Sequence, residues 1–205
     1  SSDNLLRTGA AIAALAALVG LGVYIVLRRP ASRRPPPLVV KQSQPPRQVE
    51  GIIQQWRLNY PELAGESAKG ARAYVDQGEE LLRKDTTRAY GAAEEAFQKA
   101  LVLEPSDDRA LAGWVLSLAF GRSSAIDAQT AHAAESMLAT SEQRSGDPHV
   151  FVAHAHLMIA RGGNLNDIKA MADRGKNSGN ASDRALAALA LGQTYLLKNP
   201  QLADT

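Results

Sequence analysis

Residues 89–105, AYGAAEEAFQKALVLEP, decide the fold of this chain. Alanines recur here at helical spacing, and Phe97 lies between Ala93 and Ala100 on the same face. Pro105 follows the last apolar residues, and proline does not continue a helix because it lacks a backbone N–H. The segment is therefore predicted to be an amphipathic helix whose small residues let a neighbouring helix approach closely.

The helical period continues on both sides of this segment. Ile52, Ile53, Trp56 and Tyr60 mark an earlier amphipathic helix that ends before Pro61. Nothing from residue 49 onward alternates with period two for long enough to predict a strand, so the fold class is all-α. The further helices are predicted near residues 68–84, 88–103, 107–120, 124–143, 149–161, 165–175 and 182–197.

Capping residues set the expected ends of these helices. Ser106-Asp-Asp, Asp147-Pro and Ser182-Asp are typical helix starts, because their side chains accept hydrogen bonds from the free N–H groups of the first turn. Typical helix stops are Gly121, Gly162-Gly163 and Gly175.

Paired helices of this kind recur along the chain. In residues 89–105 a small residue, an aromatic, a small residue and a proline stand at the intervals of the second helix of a tetratricopeptide repeat (TPR). Residues 188–195, ALALGQTY, match the Leu-Gly-x-x-Tyr core of a first helix. The chain from residue 70 onward thus resembles the TPR family, which implies an α-solenoid of antiparallel helix pairs. The resemblance implies packing roles for Tyr74, Gly78, Ala93, Phe97, Ala100, Pro105, Trp114, Leu191, Gly192 and Tyr195.

The resemblance is uneven along the chain. Positions equivalent to the first-helix glycine are Gly78, Val115, His156 and Gly192, spaced 37, 41 and 36 residues apart, against a family period of about 34. Trp114 stands where a leucine is usual, and a generic helical bundle remains the alternative. The repeats are expected at about 70–106, 107–148, 149–181 and a truncated 182–205, within a domain over 67–205 that a helix and turn at 49–66 cap.

TPR superhelices usually bind a peptide or a partner helix on their concave face. A basic and amide clamp for acidic tails is not expected, because Val75, Glu79 and Gly113 stand at the clamp positions. A hydrophobic or amphipathic helical partner is favoured, and the alternative is that these positions contact one another in a tight superhelix. The candidate groove residues are Val75, Glu79, Arg109, Ala112, Leu116, Ala153, Leu186, Leu189 and Gln193.

The N-terminal segment is predicted to be a transmembrane helix over residues 5–27. From Thr8 to Leu27 it has twenty residues without a charge, which as a helix of about 1.5 Å rise per residue spans a bilayer core. Small residues repeat along one face and would allow pairing with another membrane helix. This candidate interface consists of Gly9, Ala13, Ala16 and Gly20.

Residues 28–48 are predicted to be a basic, proline-rich linker. Six prolines fall between residues 30 and 46, and such sequences form extended spacers. Arg28, Arg29, Arg33 and Arg34 follow the membrane helix, so the positive-inside rule places the repeats in the cytoplasm. A periplasmic location stays open, because the chain is expected to be part of a longer protein whose N-terminal charges count as well.

Charge and composition exclude several functions. Residues 1–47 hold seven basic and one acidic residue, whereas residues 48–205 hold sixteen basic and twenty acidic residues, which argues against nucleic-acid binding. The chain has no cysteine, so thiolate metal sites and cysteine catalysis are excluded. His154 and His156 point to different sides of a helix, so no metal site is expected, and His156 is interpreted as a packing residue. The pairs Glu79-Glu80 and Glu94-Glu95 are interpreted as solvated charges, so the chain is expected to be neither an enzyme nor a cofactor-binding protein.

These features together predict a single-pass protein of the bacterial inner membrane that carries a TPR-like scaffold on a stalk. It resembles anchored TPR proteins that organise secretion, envelope or motility assemblies. The alternative is a subunit of a membrane channel, motor or translocase that docks through its transmembrane helix, with the repeats as a spacer. Replacing Ala13 and Ala16 with isoleucine would abolish assembly only in the second case.

Overall fold

The computed structural model describes residues 47–199, which form α-helices and short 3-10 turns and contain no β-strand. The all-α prediction is confirmed for this part of the chain. The helices are α1 (Arg47–Asn59), α2 (Ala71–Leu82), α3 (Thr87–Leu103), α4 (Asp108–Gly121), α5 (Ala128–Arg144), α6 (Pro148–Ala160), α7 (Leu165–Gly175) and α8 (Ala181–Lys198).

Polar side chains cap most helix starts. Asp107 and Asp147 accept backbone N–H bonds at the starts of α4 and α6, as their sequence context predicts. Helix α8 begins earlier than expected, because Asn180 rather than Ser182 is its cap. Helices α4 and α7 end at the predicted glycines, Gly121 and Gly175.

Two packing relations organise the helices. Neighbours along the chain pack side by side in the pairs α2–α3, α3–α4, α6–α7 and α7–α8, and their short connections require them to run antiparallel. Helices α2, α4, α6 and α8 also contact one another in succession and form one row. The side chains between these helices make a core that includes Trp114, Val115, Leu118, Val150 and Leu157.

Helix α1 packs against other helices of the array, and its predicted role as a cap stays a prediction. It contacts both α3 and α5, and α3 and α5 make no contact with each other. Its apolar face, with Ile52, Ile53 and Trp56, is buried. The ring of Trp56 packs edge-to-face on Trp114 of α4 at 4.8 Å between centroids, which fixes α1 against the interior.

Within residues 47–199, no helix is both long and apolar enough to cross a membrane. The predicted transmembrane helix over residues 5–27, with its face of Gly9, Ala13, Ala16 and Gly20, lies outside the described residues. Residues 28–46 of the predicted linker also lie outside the described residues. Residues 47 and 48 are the first two residues of α1.

Candidate functional site

The predicted groove is mostly filled by its own side chains. Val75, Ala112, Leu116 and Ala153 have at most 2% of their surface exposed. For these four positions the alternative interpretation holds, in which the helices of the row pack directly on one another. A concave surface lined by them is therefore absent from the described part of the chain.

Two charged groove candidates satisfy each other. The guanidinium of Arg109 on α4 donates to the carboxylate of Glu79 on α2, with its Nε 3.1 Å from Oε1. Neighbouring acids raise the pKa of Arg109 further, although burial opposes them. This pair joins adjacent helices of the row and is not free for a ligand. The other three groove candidates lie on α8, where Leu189 is exposed and Leu186 and Gln193 are partly buried.

Phe97 is the central packing residue of the first helix pair. Its ring is fully buried between Gly78 on α2 and Gly113 on α4. A Cβ added at Gly78 would lie 2.6 Å from Cζ of Phe97, and one at Gly113 would lie 2.2 Å from the same atom. The ring thus occupies the space that both glycines leave free, which explains why small residues are needed there.

The predicted packing residues divide into buried and open groups. Ala93, Ala100 and Trp114 are fully buried, and Tyr74 and Leu191 are half-buried. Pro105, Gly192 and Tyr195 are exposed. Tyr195 was expected to fill the space between helix pairs but has 60% of its surface exposed, because among the described residues no helix covers that side of α8.

The open side of α8 repeats the covered side of α2. Six positions of α2, each 114 residues before a position of α8, share one face. In α2 none of them is exposed, and Phe97 of α3 covers Gly78 at the centre of the face. In α8 all six are exposed, and a Cβ added at Gly192 would meet no atom within 4 Å. The open face consists of Ala185, Ala188, Leu189, Gly192, Tyr195 and Leu196.

A polar cleft opens where α1 meets α3, α4 and α5. Its volume is about 460 Å³, within the range of ligand sites in proteins. Helix α1 contributes Gln55 and Asn59 to the wall, and α3 contributes Gly91 and Gln98. The remaining lining residues are Ile52, Trp56, Tyr60, Thr87, Glu94, Glu95, Trp114, Ser117, Gly121, Arg122 and Thr130.

A chain of hydrogen bonds crosses this cleft. The hydroxyl of Tyr60 donates to Oε1 of Gln98 at 2.7 Å, and Nε2 of Gln98 donates to Oε1 of Glu94 at 3.0 Å. Nη2 of Arg122 donates to the same oxygen at 2.8 Å. Burial, with help from Glu95, raises the pKa of Tyr60 to about 12, so its hydroxyl keeps its proton at neutral pH. The side chains are thereby held in fixed positions before any ligand arrives.

Glu94 is not the solvated charge that its sequence context indicates. Only 7% of its surface is exposed, and burial raises its pKa although Arg122 and Gln98 act in the opposite direction. Among residues 47–199, Nε1 of the buried Trp114 has no hydrogen-bond partner. The cleft therefore contains a buried carboxylate and borders a buried donor that the protein does not use.

Sequence reasoning missed this cleft. The spacing of Glu94 and Gln98 at i and i+4 indicates that they share a helix face, but Tyr60 and Arg122 lie far from them in the sequence. Only the position of α1 brings the four side chains together.

The histidines have structural partners. His156 is buried, its Nε2 lies 3.0 Å from the carbonyl oxygen of Leu186, and its ring packs on Phe120. Burial lowers the pKa of His156, so the neutral form is favoured. His149 pairs with Asp183, and His154 pairs with Glu142.

Comparisons with protein-family models, with curated proteins and with solved structures find no match for this chain.

Proposed function

We propose that this chain is a membrane-anchored scaffold for protein–protein interaction, built from TPR-like helix pairs, and that the open face of α8 binds a partner helix. The observation that carries the proposal is the correspondence between α2 and α8. Six positions of α2 are at least partly buried, with Phe97 of α3 over Gly78 at their centre, and the corresponding six positions of α8 are exposed.

The chemistry of the open face determines what it binds. None of its six residues carries a charge, and they recur along α8 at the spacing of one helix face. Leu189, Tyr195 and Leu196 are among the exposed large apolar residues of the described chain. A contiguous apolar surface of this kind marks an interaction site. The space at Gly192 matches the one that Phe97 fills at Gly78, so the partner helix presents an aromatic between two small residues.

The predicted membrane anchor gives this surface its role. An anchor over residues 5–27 confines the helix pairs to the membrane surface, and the linker lets them reach partners at a distance from it. Confinement raises the local concentration of any protein that α8 binds, which promotes assembly without new contacts. The chain would thereby gather components of a membrane-associated assembly, and it would need no catalytic group.

A peptide with the sequence of α3 tests the open face directly. The synthetic segment 86–105 carries Ala93, Phe97 and Ala100 in the required order. We expect it to bind the 205-residue chain in detergent, as measured by fluorescence anisotropy. Replacing Leu189 and Leu196 together by arginine places charges on the face and should abolish binding. Leu58→Arg is the matched control, because Leu58 is an exposed leucine of α1 outside this face.

Three results would contradict the proposal. The first is that the peptide does not bind, and the second is that it binds the arginine variant as tightly as the native chain. The third is that a peptide with Phe97→Ser binds as tightly as the unchanged peptide. A fourth concerns the natural partner: if a longer form of the polypeptide buries Leu189 and Leu196 within its own fold, the face is not a partner site. Thermal unfolding of each variant shows that the helices remain folded.

A further inference from the structure

We infer that the polar cleft between α1, α3, α4 and α5 is a second binding site, and that it takes an extended peptide segment held mainly through its backbone. The site is separate from the open face of α8, because no residue of α8 lines the cleft. It therefore goes beyond the proposed function and can be tested independently of it.

The spacing of the amide side chains fits an extended chain. Gln55 and Asn59 lie at i and i+4 on α1, and Glu94 and Gln98 lie at i and i+4 on α3. Four residues of an α-helix rise by about 6 Å, and two residues of an extended strand advance by about 6.5 Å. The distance between successive polar groups on each wall is therefore close to the distance between every second residue of an extended peptide. In such a peptide the N–H and C=O groups point to alternate sides.

The cleft offers both kinds of hydrogen-bonding group that a peptide needs. Side-chain amides donate and accept, and Gln55 and Asn59 are both exposed. The carboxylate of Glu94 accepts through Oε1 from Gln98 and Arg122, and no bond to its other oxygen is seen among residues 47–199. Trp114, fully buried at the wall, has an unpartnered Nε1 donor. A buried acceptor and a buried donor beside one cavity are complementary to an amide group, which carries both an N–H and a C=O.

One wall leaves room for a backbone to approach. Gly91 lies in the middle of α3 and is exposed to the cleft, and a Cβ added there would meet no atom within 4 Å. Glycine weakens a helix interior relative to other residues. The open space beside Gly91 leaves room for the backbone of a ligand to approach α3.

The charges of the cleft favour backbone recognition over a charged ligand. Glu94 is paired with Arg122, and Glu95 is paired with Lys99 at 2.8 Å. Asp127 is close enough to Glu94 to raise its pKa, and it is opposed by Arg122. Opposite charges thus nearly balance around the site, so neither a strongly acidic nor a strongly basic ligand is selected. Binding of the peptide should weaken little as ionic strength rises.

A phage-displayed library of random linear peptides is the probe. It is selected on the full 205-residue chain in detergent, and the recovered peptides are measured by fluorescence anisotropy. A Cβ added at Gly91 meets no atom within 4 Å, so Gly91→Phe places a ring in the cleft, and we expect it to weaken binding at least about tenfold. The double variant Gln55→Ala and Asn59→Ala should weaken binding by about fivefold or more, because it removes two hydrogen-bonding groups.

Each variant has a matched control that leaves the cleft unchanged. Gly51→Phe makes the same change at an exposed glycine of α1, and Gln54→Ala makes the same change at an exposed glutamine of α1. Neither residue lines the cleft, so both control variants should bind as the native chain does. Thermal unfolding verifies that all four proteins are folded.

Several outcomes would overturn the inference. The library yields no peptide that distinguishes the native chain from Gly91→Phe, or the recovered peptides lose their affinity at high ionic strength. A peptide that is sensitive to Leu189→Arg but not to Gly91→Phe belongs to the open face of α8. That result supports the proposed function and refutes the peptide site in the cleft.

Discussion

At the scale of single residues, Glu94 is a buried charge that the fold does not need. Burial raises its pKa above the ordinary value of a glutamate, which means that the folded chain holds this proton more tightly than the unfolded chain. Between the unfolded pKa and the raised folded pKa, the contribution of Glu94 to stability therefore falls as pH rises. The raised pKa means that burial disfavours the ionised carboxylate more than its contacts with Arg122 and Gln98 favour it.

The first prediction is that Glu94→Gln stabilises the protein at neutral pH. The amide keeps the shape of the side chain and removes the buried charge, so the free energy of unfolding should rise by roughly 1 kcal/mol at pH near 7. At pH near 4 the carboxyl is largely protonated in both states, and the difference between variant and native chain should shrink. Urea unfolding at the two pH values measures it.

Glu95→Gln is the control for this prediction. Glu95 is largely exposed and paired with Lys99, so its replacement should change the free energy of unfolding by less than about 0.5 kcal/mol. If Glu94→Gln destabilises the chain at neutral pH more than at acid pH, the ion pair with Arg122 outweighs burial.

At the scale of helices, the second prediction compares Gly78 on α2 with Gly192 on α8, which lies 114 residues later in the sequence. Gly78 is in contact with the ring of Phe97, whereas Gly192 faces open space. Gly78→Ala should lower the free energy of unfolding by roughly 1 to 3 kcal/mol, because the new methyl group displaces a fully buried ring. Gly192→Ala should raise it by about 0.5 to 1 kcal/mol, because alanine is the better helix former and nothing obstructs it.

The two substitutions are expected to change the free energy of unfolding in opposite directions. Thermal or urea unfolding of each variant measures the change. A double variant with Phe97→Leu should recover part of the loss at Gly78, since leucine leaves room for the methyl group. If Gly192→Ala destabilises as much as Gly78→Ala does, the face of α8 is covered in solution and is not open. The same result would remove the basis for the partner helix.

Helix positions follow closely from the sequence, but their packing does not. The ends of α4, α6 and α7 agree with the caps and glycines in the sequence, because those signals act within one turn. The position of α1 depends on which partner Trp56 finds, and Trp114 lies 58 residues away. Periodicity shows that α1 has an apolar face, but it does not identify the surface that buries it.

At the scale of the whole molecule, the two surfaces differ in how far the sequence predicts them. The sequence shows that the six residues of the open face share one side of α8, although Tyr195 was expected to be covered and is exposed. For the groove candidates Val75 and Leu116 the sequence left direct helix packing open as an alternative, because it does not show how tightly the row of helices packs; both are buried in the structure. The cleft could not be predicted, because it exists only where α1 separates α3 from α5.

The last prediction concerns the side of the membrane on which the helices lie. The chain has no cysteine, so Ser106→Cys provides a single label site, and Ser106 is exposed between α3 and α4. The arginines after residue 27 predict that the cysteine reacts with a membrane-impermeant maleimide only after bacterial cells are lysed. Ser2→Cys lies before the predicted membrane helix and should react in intact cells.

The two cysteine variants together separate the possible topologies. If Ser106→Cys reacts in intact cells and Ser2→Cys does not, the segment crosses the membrane in the opposite direction, and envelope proteins become the partners of α8. If both react alike, residues 5–27 do not cross the membrane between them, and tethering is not the basis of function. The peptide sites on α8 and in the cleft would then stand without an anchor, because neither depends on any residue before Arg47.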